Sequence, residues 1–386
     1  MRFFSFMIFA GITFCFHGCG GNSTQQAVLQ ITEDFADNAK QKRAKAQLNE
    51  LPPESVPILF EVAKTKNSFV AAAMFSYLSS EGKTVASRIA SKSLADGNVD
   101  ERRLAAIVLR ILGEYSKPAG RELVEALRDD DVVVRTQAAV ALAGSSYDRE
   151  LAIKALITLA SDEEPGVRHT AIAALEYLAP EATLVPVLAN ALADPEPEVA
   201  RQASYIFSTM QANGKSAIPQ LLIATNHGDL SVCCNSIKAL GSIGSAGDEV
   251  VLRLVELTQD ANRAKQVSSI EALEMLGPHA KSAVASLTEL LETLLETEDT
   301  ELDTELDTEL DTELDTESVA SDSLDSGPRG TGSDVDVLRR VVRAIGAIGP
   351  AAKTAVPILL RLRNHDQNSI RSEAATALHK VDSILD

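Results

Sequence analysis

Three acid–arginine pairs recur along the chain at a fixed distance: Asp96 and Arg102, Asp129 and Arg135, Asp162 and Arg168. Each arginine follows its aspartate by six residues, and each pair follows the last by 33. A row of guanidiniums admits two chemistries. It can hold an anionic ligand, or it can bind the carboxylates of neighbouring segments as a structural ladder. The other reactive residue types are sparse. Beyond the first nineteen residues the histidines are His169, His227, His279, His365 and His379, and none is followed by Glu. Cys233 and Cys234 form the one adjacent thiol pair. A disulfide between neighbours inside a helix is strained, so both are read as small packing residues, Cys233 inward and Cys234 nearer the surface. No GxSxG, Walker-type loop or strand-linked GxGxxG is present, and no catalytic or metal-ligating set is assigned.

What positions the arginines is a periodic helix. With the arginine as a reference slot, equivalent positions fall at Arg102, Arg135, Arg168, Ala200, Cys233, Gln266, Leu338 and Arg371. Every step is 32 or 33 residues except one of 72. Three residues after each slot stands a small or β-branched residue, and seven after stands a large apolar one, as in Ala138 and Leu142. Offsets of three, four and seven share one helix face, so each slot opens an amphipathic helix. Gly113, Gly144, Gly241 and Gly277 suit helix C-caps. A second apolar run lies between slots, as in 218–223 and 250–257, several with an early proline (Pro57, Pro186, Pro219, Pro357). Each unit is therefore two short helices that bury their faces only by stacking.

The pattern resembles HEAT repeats, nearest the short HEAT-like type first described in phycobilin lyases, and GPAAKTAVPILLRLRNHDQNSIRSEAATAL (349–378) carries it most fully. The resemblance runs from about residue 56 to the C-terminus apart from one insertion. It implies an all-α fold, an α-solenoid of stacked helix hairpins. It also favours the ladder reading: Asp96, Asp129 and Asp162 at helix N-termini, Arg102, Arg135 and Arg168 each bonded to a neighbouring repeat. Some HEAT-repeat proteins are di-iron hydroxylases with His-Glu ligand pairs. That set is missing here, so no metal or cofactor is expected, and chromophore chemistry is not indicated.

Residues 1–18 read as an export signal, with Arg2 ahead of an apolar run too short to span a bilayer. Phe16-His17-Gly18-Cys19 resembles a bacterial lipobox, which makes Cys19 the expected lipidation site and 19–35 a tether; the solenoid is assigned to 36–386. The insertion at 297–333, with its tandem ELDT copies, accounts for the long step. Residues 296–336 hold sixteen acidic residues against Arg329 alone, most of the chain's net charge of −19. Like charges four apart with one leucine per four residues predict a solvated, disordered loop, with weak calcium binding as the alternative. The acidic balance disfavours nucleic acid.

In such stacks the second helices line the concave side. Offsets two, five and nine point away from the core, and they are apolar or aromatic early in the chain. Leu104, Ile107, Val140 and Tyr205 are the expected partner-binding residues; the competing expectation is that neighbouring helices cover them. The function expected is a lipid-anchored scaffold in the cell envelope, on the periplasmic side or outer surface, that binds a protein partner and is not an enzyme. The alternative is an enzyme on the same repeats, phycobilin-lyase-like or oxidoreductase-like.

Overall fold

The structure, a computed structural model, describes residues 22–65, 68–244, 247–296 and 334–382. Cys19 and the acidic insertion lie outside the described residues. All regular elements among them are helices, and they divide into two compact units at residue 180.

The first unit holds α1 (Asn22–Ala36), α2 (Gln41–Asn49), α3 (Val56–Thr65), α4 (Ser68–Ala73), α5 (Ser80–Asp96), α6 (Val99–Leu112), α7 (Gly120–Ala126), α8 (Val132–Gly144), α9 (Arg149–Leu159) and α10 (Pro165–Leu178). The second holds α11 (Glu181–Ala191), α12 (Pro197–Thr209), α13 (Ile218–Ala224), α14 (Leu230–Ser242), α15 (Asp248–Leu257), α16 (Arg263–Leu276), α17 (284–296), α18 (Asp334–Ile348), α19 (Val356–Leu362) and α20 (Asn368–Val381). From α6 onward a short helix alternates with a slot-bearing one. Slot helices stack on one another, α6 on α8 on α10 in the first unit and α12, α14, α16, α18 and α20 in series in the second. Each unit is thus an all-α solenoid stack.

Local sequence explains the boundaries. Asn98 caps α6 by accepting from Asp100 N–H and Glu101 N–H, and Glu101 returns a bond to Asn98 N–H, a capping box. Asp131 and Asp229 cap α8 and α14 in the same manner through Val134 N–H and Val232 N–H. Pro165 and Pro197 open α10 and α12, where a missing N–H costs nothing. Gly113 and Gly277 end α6 and α16 at φ +55° and +53°. Gly144 and Gly241 are not caps but the last turns of α8 and α14. Gly241 serves a close approach: a Cβ there would lie 2.6 Å from Ala272 Cα on α16. Pro186 lies inside α11, which begins a turn earlier than its apolar run.

The core is aliphatic. Ala138, Leu142, Ala171 and Leu175, three and seven after their slots, are fully or almost fully buried. Each large aliphatic side chain so buried contributes about 1.5–3 kcal/mol. The stretch Asp334–Leu362 has the length and apolar composition of a membrane span, yet half of its most apolar 18-residue window is buried. It is a core hairpin, with Val337, Leu338, Val341 and Ile345 shielded from solvent.

The expected tether at 19–35 is corrected from Asn22 on. Residues 22–36 are the helix α1, with Val28, Ile31 and Phe35 buried and the Phe35 ring 5.7 Å from that of Tyr77. The physical reason is the spacing of those residues, which puts them along one side of a helix.

Candidate functional site

The slot residue does the same job in most repeats: its side chain closes the turn that precedes its own helix. Arg135 Nη1 donates to the carbonyls of Asp129 (2.8 Å) and Asp130 (3.2 Å). Arg168 repeats this on Asp162 (2.9 Å) and Glu163 (3.0 Å), and Arg371 on His365 (2.6 Å) and Asp366 (2.7 Å). Cys233 does it with a thiol, Sγ donating to the His227 carbonyl at 2.9 Å, and Gln266 Nε2 reaches Thr258 O at 2.9 Å. These carbonyls belong to the turn after a short helix, where no intrahelical donor remains.

The arginines then reach the next repeat. Arg102 grips Asp129 with both Nε (2.6 Å) and Nη2 (2.9 Å). Arg135 donates to Asp162 through Nη2 (2.9 Å), and its Nε lies 2.8 Å from the same carboxylate as an ion pair without hydrogen-bond alignment, almost entirely out of solvent. Planar fork against carboxylate is the geometry guanidinium is built for. Each aspartate raises the pKa of its arginine above the ordinary value, an effect that burial opposes. The aspartates are not caps. Each lies two residues ahead of the cap position and accepts an N–H there: Asp129 from Asp131, Asp162 from Glu164. Asp96 takes no part; it is exposed at the end of α5 and pairs with no arginine among the described residues.

Two features went unread in the sequence. The acceptor six residues before the slot is Asp129, Asp162, Asp194, His227, Asp260 and His365 in turn, and each side chain accepts the N–H two residues on. His227 and His365 thus replace aspartate in a turn, with Nδ1 as acceptor. A second ladder runs beside the first: Arg103 to Asp131 and Arg201 to Asp229, each arginine one after a slot and each aspartate the cap of the next slot helix. The Arg103 guanidinium holds the Asp131 carboxyl below its ordinary range. The sequence signal for both was present, as residues in register with the slot.

The partner-binding residues divide. Leu104 and Ile107 are buried, 2% and 1% exposed, and are corrected as surface residues. The reason is the irregular start of the stack: α4 and the 3-10 turn Met74–Tyr77 pack on α6 in addition to α5 and α8. Val140 is 40% exposed on α8, and Tyr205 is 60% exposed on α12. On α10 the equivalent offset is Ala173, and nine after the slot stands Tyr177, 77% exposed and missed in the sequence.

No three His, Cys, Asp or Glu side chains among the described residues converge as a metal site. Burial pushes the Cys233 thiol up, away from the thiolate. A cavity of about 460 Å³ in the first unit opens beside the ladder between Leu127, Arg128, Arg135 and Asp162. Its charged groups are the ladder's Asp129, Arg135 and Asp162 together with Arg128, Asp130 and Glu163.

This architecture defines a class, the α-solenoid of repeated helix hairpins. A family model described as HEAT repeats matches residues 120–208. Among solved structures, an engineered protein from the Northeast Structural Genomics Consortium is 19% identical, with a TM-score of 0.50 over 92% of this chain and 98% of that one. YibA of Escherichia coli is 18% identical, with a TM-score of 0.46 over 83% of this chain and 96% of that one. No curated protein matches by sequence.

Proposed function

We propose that the chain is a binding scaffold of the HEAT-repeat kind, tethered to a membrane of the cell envelope through Cys19, that holds a protein partner on the open faces of its slot helices and catalyses no reaction. The observation that carries the reading is Tyr177 and Tyr205. Both are largely exposed on helices whose opposite faces are core. Large aromatic side chains held by a rigid helix are efficient anchors for a protein partner, because they offer much area and lose little rotamer freedom. The repeat match supports the scaffold class. The phycobilin-lyase likeness adds no chromophore chemistry to it. The Cys19 anchor rests on the lipobox-like FHGC at 16–19.

The test is a fractionation joined to a pull-down. The full chain is expected in the membrane fraction, with Cys19→Ser shifting it to the soluble fraction. A partner captured from detergent-solubilised envelope is expected to be lost with Tyr177→Asp. A Cys19→Ser chain that stays with the membrane, or a partner indifferent to Tyr177→Asp, would overturn the corresponding half.

A further inference from the structure

The replacement of the expected tether by helix α1 changes what an anchor at Cys19 would do. Only two residues separate Cys19 from Asn22, where α1 begins. An α-helix of 15 residues is about 22 Å long. A chain held by acyl groups at Cys19 would therefore keep the whole α1–α2 hairpin within about that distance of the lipid headgroups, rather than at the end of a loose leash.

The hairpin presents a basic face. Helix α2 carries Lys42, Arg43 and Lys45 and no acidic residue, and no other described helix has three basic residues without an acidic one. Lys40, just ahead of it, is neutralised by Asp34 (3.7 Å) and Asp37 (3.6 Å). Lys42 and Arg43 are exposed and make no ion pair among the described residues, while Ala44 and Leu48 hold the opposite side of α2 in the core. Lys45 Nζ lies 4.9 Å from the ring centroid of the part-exposed Tyr77. The exposed acids nearest in the chain are Glu33 on α1, Asp37, which is held by Lys40, and Glu50 and Glu54 just past α2.

We propose that this face is a second membrane contact, docking on an anionic lipid surface beside the anchor. The proposal rests on the Cys19 reading for the closeness of the hairpin to the bilayer. The chemistry is local: in a chain of net charge −19, only charges within a Debye length of about 8–10 Å of the headgroups decide the sign of the interaction. Unpaired lysine and arginine draw the hairpin down, and Tyr77 has the amphipathic ring that settles at such an interface.

The experiment mixes the full chain with vesicles of phosphatidylcholine alone and of phosphatidylcholine with phosphatidylglycerol, and reads the ratio of the two partition coefficients. The apolar N-terminal residues and any acyl groups partition into both vesicles and cancel in the ratio. The expected ratio exceeds one despite the acidic chain, falls about tenfold in Lys42→Glu/Arg43→Glu, and collapses in high salt. Circular dichroism of the double variant, whose substituted side chains are exposed, checks that it is folded. A ratio at or below one for the unsubstituted chain, or a ratio unmoved by the folded double variant, overturns the proposal. The mass of the Cys19 peptide is read separately, so an unacylated Cys19 sinks the anchor and leaves the ratio to judge the basic face.

Discussion

Arg135 and Asp162 stand 27 residues apart in the chain and 2.8 Å apart in space, as a nearly solvent-free ion pair that joins α8 to the turn before α10. The same guanidinium also closes the turn before its own helix, through the Asp129 carbonyl. One side chain therefore fixes both a turn and the junction between two repeats.

That double duty predicts a large cost for losing it. Arg135→Leu strands the Asp162 carboxylate and two carbonyls, and is expected to cost about 2–4 kcal/mol, in the range for breaking a buried pair. Arg102→Leu breaks a more exposed pair and is expected to cost about 1 kcal/mol. Urea unfolding of the two variants checks the order, which should be Arg135 well ahead of Arg102.

Acid should erode the rung of the second ladder that Arg103 supports. Asp131 has a folded pKa below its unfolded one, because the Arg103 guanidinium bonds its carboxylate. Such a group contributes stability that is present above the unfolded carboxylate pKa, near pH 4, and is lost as pH falls through the folded pKa. Arg103→Ala is therefore expected to destabilise the fold at pH 7 and to have almost no effect once Asp131 is protonated. Unfolding of both chains at neutral and strongly acid pH measures the difference.

Glycines that look alike in the sequence should respond oppositely. Gly241→Ala would drive a Cβ to 2.6 Å from Ala272 Cα, and Gly346→Ala to 3.0 Å from Ala377 Cα. Each is expected to cost about 1–3 kcal/mol as overpacking. A Cβ on Gly144 has only Gly113 Cα near, at 3.9 Å, so Gly144→Ala should be neutral or stabilise by up to about 1 kcal/mol. Melting temperatures of the three single variants decide the matter.

The junction across the acidic insertion should hold without it. Arg263 pairs with Asp334 at 2.5 Å, and Arg340 with Glu271, so α16 and α18 are bridged directly. Replacing residues 297–333 by a short Gly/Ser connection is expected to leave helical content and melting temperature unchanged. Loss of cooperative unfolding in that variant would show that the segment is part of the stack.

The 33-residue beat made the stack legible, because each slot helix buries the same two offsets wherever its neighbours are also slot helices. It failed where that condition fails. Leu104 and Ile107 sit on the first slot helix, which meets the irregular α4 as well as α5 and α8, so the offset that is open at Val140 on α8 is covered at Ile107 on α6. Helix α1 was hidden for a different reason: the lipobox-like Cys19 drew a tether boundary across a helix whose Val28, Ile31 and Phe35 mark it as packed. The aspartates were seen as a ladder, but their partner is the arginine of the preceding repeat, 27 residues earlier, and spacing within one repeat does not disclose it. Tyr177 was in register all along, nine after Arg168, and became visible only once α10 showed which offsets stay open.

The central claim is that the open faces of the slot helices hold a protein partner. Its most direct measurement places a photo-crosslinking residue at 177 in the full chain, in intact envelope, with position 154 on α9 as a surface control. The account predicts a discrete adduct from 177 that is lost when Val140 is replaced by Asp, and none from 154. No adduct from 177, or the same adduct from 154, would contradict it.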